Sequence, residues 1–326
     1  TYRICPLCEA CCGLEVRHDG RRVLGIRGAA QDVFSAGYVC PKGYALKDLH
    51  EDPDRVRTPL IKRNGRFEPA SWDEAFAEIA RRLPAVQQAH GRDAVAVTVG
   101  NPSAHKIGLL LYFARLAKAL GTKNVYSAST LDQMPKQLSA GLMFGHWLSI
   151  PVPDIERCEH LLILGANPAV SNGSLWTVPD VRGKLKALRA RGGRVVVIDP
   201  RRTETAERAD LHLAIKPDGD VALFQGLLAT MRHRGKLDEV YLANHVSVPE
   251  NFWDDICCSD IAGATGLDQD VLAEFYGLFE EFPRTVTLFS QGSNQSACGT
   301  DKGNAIINVH LATGRIGKPG AGPFSM

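Results

Sequence analysis

The sequence predicts an α/β protein, with a small β-rich lobe over residues 1–56 and a larger body over 57–326 on a doubly wound, mainly parallel sheet. Three observations lead there. From Ser71 onward, short apolar runs alternate with stretches whose apolar residues recur at helical spacing. The strand-like runs end in turns rich in Gly, Asn, Asp and Pro. The first 56 residues, by contrast, hold only short strand-like pieces and no good helix before Tyr44. Strand and helix in alternation give parallel sheets with helices on both faces.

In the lobe, Gly13-Leu14-Glu15-Val16 and Arg22-Val23-Leu24-Gly25-Ile26 read as strands. In the body, Ser71-x-x-Glu74 is a capping box in front of Ala75, Phe76, Ile79 and Leu83. Ala94–Val99 reads as a buried strand ending in Gly100-Asn101-Pro102. Ile107–Leu120 reads as a buried helix closed by Gly121; Arg115 and Lys118 interrupt it, and it is too short to span a bilayer. Leu161–Leu164 is a strand running into Gly165-Ala166-Asn167-Pro168. The next helix carries Val181, Leu185 and Leu188 on one face and ends at Gly192-Gly193; its basic residues, Arg182, Lys184, Lys186, Arg189 and Arg191, read as a solvated face. Arg194–Ile198 and Thr285–Phe289 complete the series of strands.

The chemistry is concentrated first in five cysteines, spaced Cys5-x2-Cys8-x2-Cys11-Cys12 and followed by Cys40-Pro41-Lys42-Gly43. Four thiolates from a short run plus one distant position suit an iron–sulfur cubane. The bacterial ferredoxin pattern fails, because the residue it would require as cysteine is Glu15. A structural zinc site would offer two paired knuckles and only one is present. A disulfide framework suits short secreted chains better than one of 326 residues with nine cysteines. The cubane is the favoured reading over zinc and disulfides, and its ligands would form much of the lobe's core.

The second concentration lies at the strand ends. Gly100-Asn101-Pro102, Gly165-Ala166-Asn167-Pro168, Asp199-Pro200-Arg201-Arg202-Thr203 and Gln291-Gly292-Ser293-Asn294 combine tight turns with amides, hydroxyls and arginines. In doubly wound sheets ligands lie beyond the carboxyl ends of the strands. Glycines let backbone approach a pyrophosphate, N–H groups and arginine bind it, and a carboxylate accepts from ribose or base. One such loop is simply a turn; four in succession favour a nucleotide. No GxGxxG follows a strand, so an NAD-type site is excluded.

A cubane lobe ahead of an α/β body with these loops resembles the molybdenum or tungsten bis(pyranopterin guanine dinucleotide) oxidoreductases of the dimethyl sulfoxide reductase type. Formate dehydrogenases and nitrate reductases are among them. The pattern C-x2-C-x3-C-G with a distant C-x-K-G is met by Cys5, Cys8, Cys12-Gly13 and Cys40-Pro41-Lys42-Gly43, which makes Cys11 a bystander. Gly165-Ala166-Asn167-Pro168 with Ser171 and Gly173, Asp199-Pro200-Arg201 with Thr203 and Asp210, and Thr313-Gly314-x-Ile316-Gly317-x-Pro319-Gly320 match in the expected order.

The resemblance implies a [4Fe-4S] cluster on Cys5, Cys8, Cys12 and Cys40 and a Mo or W bis(molybdopterin guanine dinucleotide). Its nucleotide would lie on Gly165, Asn167, Pro168, Ser171, Gly173, Asp199, Pro200, Arg201, Thr203, Asp210 and Gly292. It implies that Lys42 lies on the electron path between cluster and pterin. It also places Asp132 where the family's protein ligand to the metal stands, with Ser129, Thr130 or no protein ligand as alternatives. Formate dehydrogenases carry Cys or selenocysteine followed by His there, and Asp132-Gln133 is neither. His105 and His146 are candidate pocket histidines without an assigned role.

The expected function is two-electron or oxygen-atom transfer on a small molecule, nitrate reductase-like or formate dehydrogenase-like, with electrons relayed to a redox partner protein or subunit. The alternative is an electron-transfer or scaffold subunit that keeps fold and cluster without a pterin–metal site. A net charge of +2 with 44% hydrophobic and 23% charged residues implies neither nucleic-acid binding nor direct membrane insertion. The expected location is cytoplasmic, or periplasmic if a leader preceded Thr1. Gly314–Met326, rich in Gly and Pro, stops without a closing element. This suggests a fragment, and the resemblance implies an N-terminal portion whose body comprises two interleaved α/β subdomains and lacks the family's C-terminal β-barrel domain.

Overall fold

The computed structural model describes residues 1–326 other than 9, 101–105, 174–177, 255, 257–259 and 326, and all of their side chains but that of Leu131. Asn101, Pro102 and His105 therefore lie outside the described residues. The chain forms two compact units, Thr1–Ala128 and Ser129–Met326, so residues 57–128 group with the cysteine lobe.

The first unit opens with an antiparallel sheet of β1 (Tyr2–Ile4), β2 (Gly13–His18) and β3 (Val23–Gly28), followed by the short helices α1 (Pro41–Tyr44) and α2 (Leu46–Glu51). Its core is small: Cys5, Ala10, Cys12 and Leu14, with Cys8, Val16, Ile26, Tyr38, Val39 and Leu46 packed against them. The Cys5 and Cys12 thiols are thus part of the lobe's interior, with Cys8 packed against them. A hairpin of β4 (Leu60–Arg63) and β5 (Arg66–Pro69) leads to α3 (Trp72–His90), where Ser71 and Glu74 form the expected capping box.

Then come β6 (Val97–Val99), α4 (Ile107–Leu120) and β7 (Val125–Ser127), with β6 and β7 parallel. Two expectations fail here. The strand is half the expected length, because Arg92–Ala94 forms a 3-10 turn, and it is only half-buried. Helix α4 ends on left-handed Gly121 as expected but contains no buried residue, with Ile107, Leu110, Leu111 and Tyr112 all exposed. Burial depends on what lies against a helix, and two three-residue strands offer too little surface to cover one of 14 residues.

The second unit starts with α5 (Ser129–Asp132) and α6 (Met134–Phe144), then β8 (His160–Leu164), α7 (Pro168–Ser171), α8 (Val181–Ala190), β9 (Arg194–Ile198) and β10 (Leu211–Leu213). It continues with α9 (Asp220–His233), α10 (Glu239–His245), α11 (Ile261–Thr265), α12 (Gln269–Glu281), β11 (Thr285–Phe289), α13 (Gln291–Asn294), α14 (Gly299–Ala312) and β12 (Gly322–Ser325). The sheet is parallel throughout, in the order β10-β9-β8-β11-β12.

The apolar strands are buried on both faces, which is why they read as continuous apolar runs. Leu161, Ile163, Val195, Val197, Val286 and Leu288 pack with Val181, Leu185 and Leu188 of α8. Leu162, Leu164, Val196, Ile198 and Phe289 pack with α9, α12 and α14 through residues such as Phe224, Phe275, Phe279 and Ile306. The basic face of α8 is more engaged than expected: Arg182 donates to Ala169 O, Arg191 to Ile155 O and Cys158 O, and Arg189 and Lys184 pair with Asp210 and Glu156.

The order of the strands reverses between β8 and β11. From β8 the chain builds outward through β9 to β10, then returns to place β11 on the other side. Such a reversal opens a crevice at the carboxyl ends of the two central strands. No helix among the described residues is long and apolar enough to cross a membrane.

Candidate metal and cofactor sites

Cys5, Cys8 and Cys12 are brought together by the turn between β1 and β2, where Cys5 N donates to Cys12 O at 2.9 Å. Cys11 takes a left-handed φ of 50° and is exposed, whereas Cys5 and Cys12 are buried. Cys40 arrives from the loop after β3. That loop is held against the sheet by Gly13 N donating to Ser35 Oγ at 3.1 Å, with Asp32 accepting from Ser35 N and Oγ. Two glycines make the approach feasible: a Cβ on Gly13 would lie 2.5 Å from Asp32 Cβ, and one on Gly28 would lie 2.0 Å from Gly37 O.

The motif Cys40-Pro41-Lys42-Gly43 has a physical reading too. Cys40 occupies the N-cap position of α1 without a side-chain cap bond, Pro41 takes the first helical position, where a missing N–H costs nothing, and buried Gly43 sits against Val39 and Cys5. A Cβ on Gly43 would come 2.7 Å from Val39 Cγ2 and 3.6 Å from Cys5 Sγ. Lys42 points outward on the same helix and is exposed.

Burial, then the neighbouring Cys5, Cys8 and Cys40, push the Cys12 thiol up to about 11. Burial raises Cys5 as well, against the Leu7 backbone hydrogen bond that favours its thiolate. Ionising these thiols together would set like charges side by side, two of them buried, so they become stable thiolates only around a cationic core, which a cluster's irons would supply. The donor set fits the cluster.

In the second unit the loops after β8 and β11 meet at the strand-order reversal. Gly292 N donates to Gly165 O at 3.0 Å, and Gly165 N to Ile198 O at 3.1 Å. Gly165 has a φ of +55°, and a Cβ there would lie 2.6 Å from Gly292 Cα. Beyond it, Asn167 is fixed between the loops after β8 and β9: its Nδ2 donates to Glu204 Oε2 at 2.7 Å and its Oδ1 accepts from Thr205 Oγ1 at 2.7 Å. Asn167 also holds the Glu204 carboxyl below its usual range. Thr205 in turn accepts from Ala169 N, in the helix that buried Pro168 begins and Ser171 ends. Gly173 is there for want of space, since a Cβ would lie 2.4 Å from Val178 O.

After β9, half-buried Asp199 accepts from Arg201 N at 2.8 Å, Pro200 is exposed between them, and the exposed Arg201 guanidinium donates no hydrogen bond among the described residues. Thr203 is buried and caps Ala206 N, so its hydroxyl shapes the turn. Asp210 is not gathered with these. It precedes β10 at the amino edge of the sheet, where it accepts from Val195 N at 2.7 Å and pairs with Arg189.

Asp132, at the end of α5, does join the group. Its Oδ1 accepts from Gln291 Nε2 at 2.7 Å and Gln295 Nε2 at 3.2 Å. Gln291 and Gln295 flank Gly292, so this half-buried carboxylate lies beside the glycine pair.

The crevice bears the marks of a missing polar partner. Ser293 is 1% exposed, yet its Oγ has no hydrogen-bond partner, and the buried Ser325 Oγ at the carboxyl end of β12 has none either. Buried hydroxyls are normally satisfied. Together with the glycine pair, they fit a large polar group lying across the carboxyl ends of β8 and β11, as a pterin nucleotide would.

Sequence reasoning missed Gln295, Glu204 and Thr205, and gave Gln291 and Ser293 no individual role. Gln291 and Ser293 stood in a loop singled out as a unit, and Glu204 and Thr205 directly follow Thr203; no periodicity marks any of them.

Over 336 residues the chain is 33% identical to "Nitrate reductase" of Klebsiella oxytoca, covering 100% of this chain and 36% of that protein. To "Formate dehydrogenase H" of Escherichia coli it is 26% identical, covering 98% and 45%. Its fold matches "Acetylene Hydratase from Pelobacter acetylenicus" with a TM-score of 0.77 at 21% identity, over 96% of this chain and 43% of that one. The chain therefore spans well under two thirds of the proteins it matches. Residues 1–51 match the molybdopterin oxidoreductase Fe4S4 domain, which brings the [4Fe-4S] cluster onto this lobe. With residues 55–326 matching the molybdopterin oxidoreductase family itself, the chain belongs to that family, whose cofactor is a Mo or W molybdopterin.

Proposed function

We propose that this chain is the cluster- and nucleotide-binding part of a molybdenum or tungsten enzyme that carries out two-electron or oxygen-atom transfer on a small molecule. The observation that carries this reading is the position of Asp132 beside Gly165 and Gly292 at the strand-order reversal. A carboxylate is a hard ligand and suits a molybdenum centre that exchanges oxygen. The metal with its dithiolenes supplies the two-electron step. Gly165 and Gly292 bring backbone to the nucleotide, Arg201 offers a guanidinium to its phosphates, and Ser293 and Ser325 offer hydroxyls.

Cys5, Cys8, Cys12 and Cys40 hold the cluster, which passes electrons singly to a redox partner. Lys42, two residues beyond Cys40, supplies a cation that stabilises the reduced cluster and lies on the route to the pterin. Nitrate reductase-like and formate dehydrogenase-like chemistry both occur among the relatives; an Asp132-Gln133 pair without cysteine or histidine fits oxygen-atom transfer better.

The test is metal analysis and EPR on anaerobically purified full-length protein, followed by viologen-coupled assays with small oxyanions and formate. The expected result is about four irons and one molybdenum or tungsten per chain. Iron without molybdenum or tungsten would instead support a scaffold subunit, and neither metal would overturn the proposal entirely.

A further inference from the structure

The Asp132 carboxylate is not bonded evenly. Both Gln291 Nε2, at 2.7 Å, and Gln295 Nε2, at 3.2 Å, reach the same oxygen, Oδ1. Among the described residues no hydrogen bond reaches Oδ2. A carboxylate oxygen offers two lone-pair positions, so two donors fill Oδ1 and leave Oδ2 with both of its own.

The Gln291 amide cannot simply turn over. An ionised carboxylate only accepts, so the NH2 group must face Asp132 and Oε1 must face the other way. There Oε1 accepts from Ser290 Oγ at 2.5 Å, and Ser290 is tied to β8 by its N donating to Leu164 O at 3.2 Å. Ser290 is 7% exposed, so this anchor is within the fold. An unbroken set of bonds therefore runs from the central strand to one oxygen of Asp132. Nothing about helix α5 requires it: α5 is one turn long and its carboxylate is half-buried.

We propose that Gln291 and Gln295 are positioning residues that saturate Oδ1 and reserve Oδ2 for the metal, making Asp132 a ligand through one oxygen. This rests on the reading of Asp132 as the protein's metal ligand. A carboxylate held in this way takes one coordination position, where a chelating one takes two.

The test is X-ray absorption at the metal edge, with EPR of the one-electron-reduced metal, on the full-length holoenzyme. Variants are Gln291→Leu/Gln295→Leu, Gln295→Leu alone and Asp132→Ala. In the double variant a second carboxylate oxygen is expected to join the metal's neighbours and the EPR g-values to shift, with iron content unchanged. Gln295 is exposed, so its single replacement folds readily and is expected to give a smaller shift of the same sign. If the glutamine variants give spectra superimposable on the parent while Asp132→Ala loses an oxygen neighbour, the positioning role is overturned and Asp132 remains the ligand. If Asp132→Ala leaves the metal's neighbours unchanged, the ligand reading itself fails.

Discussion

Gly292 donates its backbone N–H to the carbonyl of Gly165 at 3.0 Å, and each glycine occupies the space where the other's side chain would be. Gly165→Ala would put a methyl 2.6 Å from Gly292 Cα at a φ of +55°, forcing the two loops apart. A destabilisation of about 2–3 kcal/mol is expected from overpacking plus a left-handed alanine. The sharper expectation is a holoenzyme that keeps its iron and loses molybdenum or tungsten, read by metal analysis. Full retention of the metal would show that the glycine pair does not serve the nucleotide.

Cys11 and Cys12 are neighbours in sequence but opposite in placement, one exposed and the other 8% exposed among the thiols. Cys12→Ser is expected to abolish the reduced-cluster EPR signal and lower iron content, whereas Cys11→Ser leaves both near the parent. The reverse pattern would overturn Cys12 as the third ligand of the short run.

Two histidines are sealed inside the second unit, His160 at the amino end of β8 and His310 on α14 against β11. His160 Nδ1 meets Thr285 Oγ1 at 3.2 Å, and His310 Nε2 meets Thr287 Oγ1 at 2.8 Å. Burial, and then the charge of Arg315, hold both neutral, taking His160 down to about 3 and His310 well below its ordinary value. An unfolded histidine titrates near 6.5, so the unfolded chain gains protons first on acidification. Stability is therefore complete above about pH 6.5 and falls as pH drops toward 3, by up to about 1.4 kcal/mol per pH unit for each histidine. Urea midpoints measured from pH 8 to pH 5 should show this slope, and His310→Gln should lessen it. Parallel slopes in the two proteins would rule the histidine out as its source.

Much of this fold could be read before any coordinates. Strands β8, β9 and β11 are apolar runs bounded by breakers, and the capping box at Ser71 and the stop at Gly121 are local devices whose effect depends on near neighbours. The cysteine spacing was legible for the same reason, since Cys5, Cys8 and Cys12 sit within one turn. The burial of α4 was misread because composition says nothing of what lies against a helix. The bonds from Gln291 and Gln295 to Asp132 cross 159 and 163 positions of sequence, and no pattern in either segment announces the other. Asp210 matched a family motif in order, yet parallel strands carry residues before and after a strand to opposite edges of the sheet.

The latch of Asp32 and Ser35 on Gly13 bears on how the fourth cysteine comes within reach of the other three. Bringing Cys40 back to Cys12 closes a loop of nearly thirty residues, an entropic cost of about 3 kcal/mol for a flexible chain. Hydrogen bonds and the Gly28–Gly37 contact fix that loop through peptide chemistry, so iron ligation has little of the closure left to meet. With Cys40 as the proposed fourth ligand, loosening the latch of Asp32 and Ser35 is expected to lower iron content while all four thiols remain.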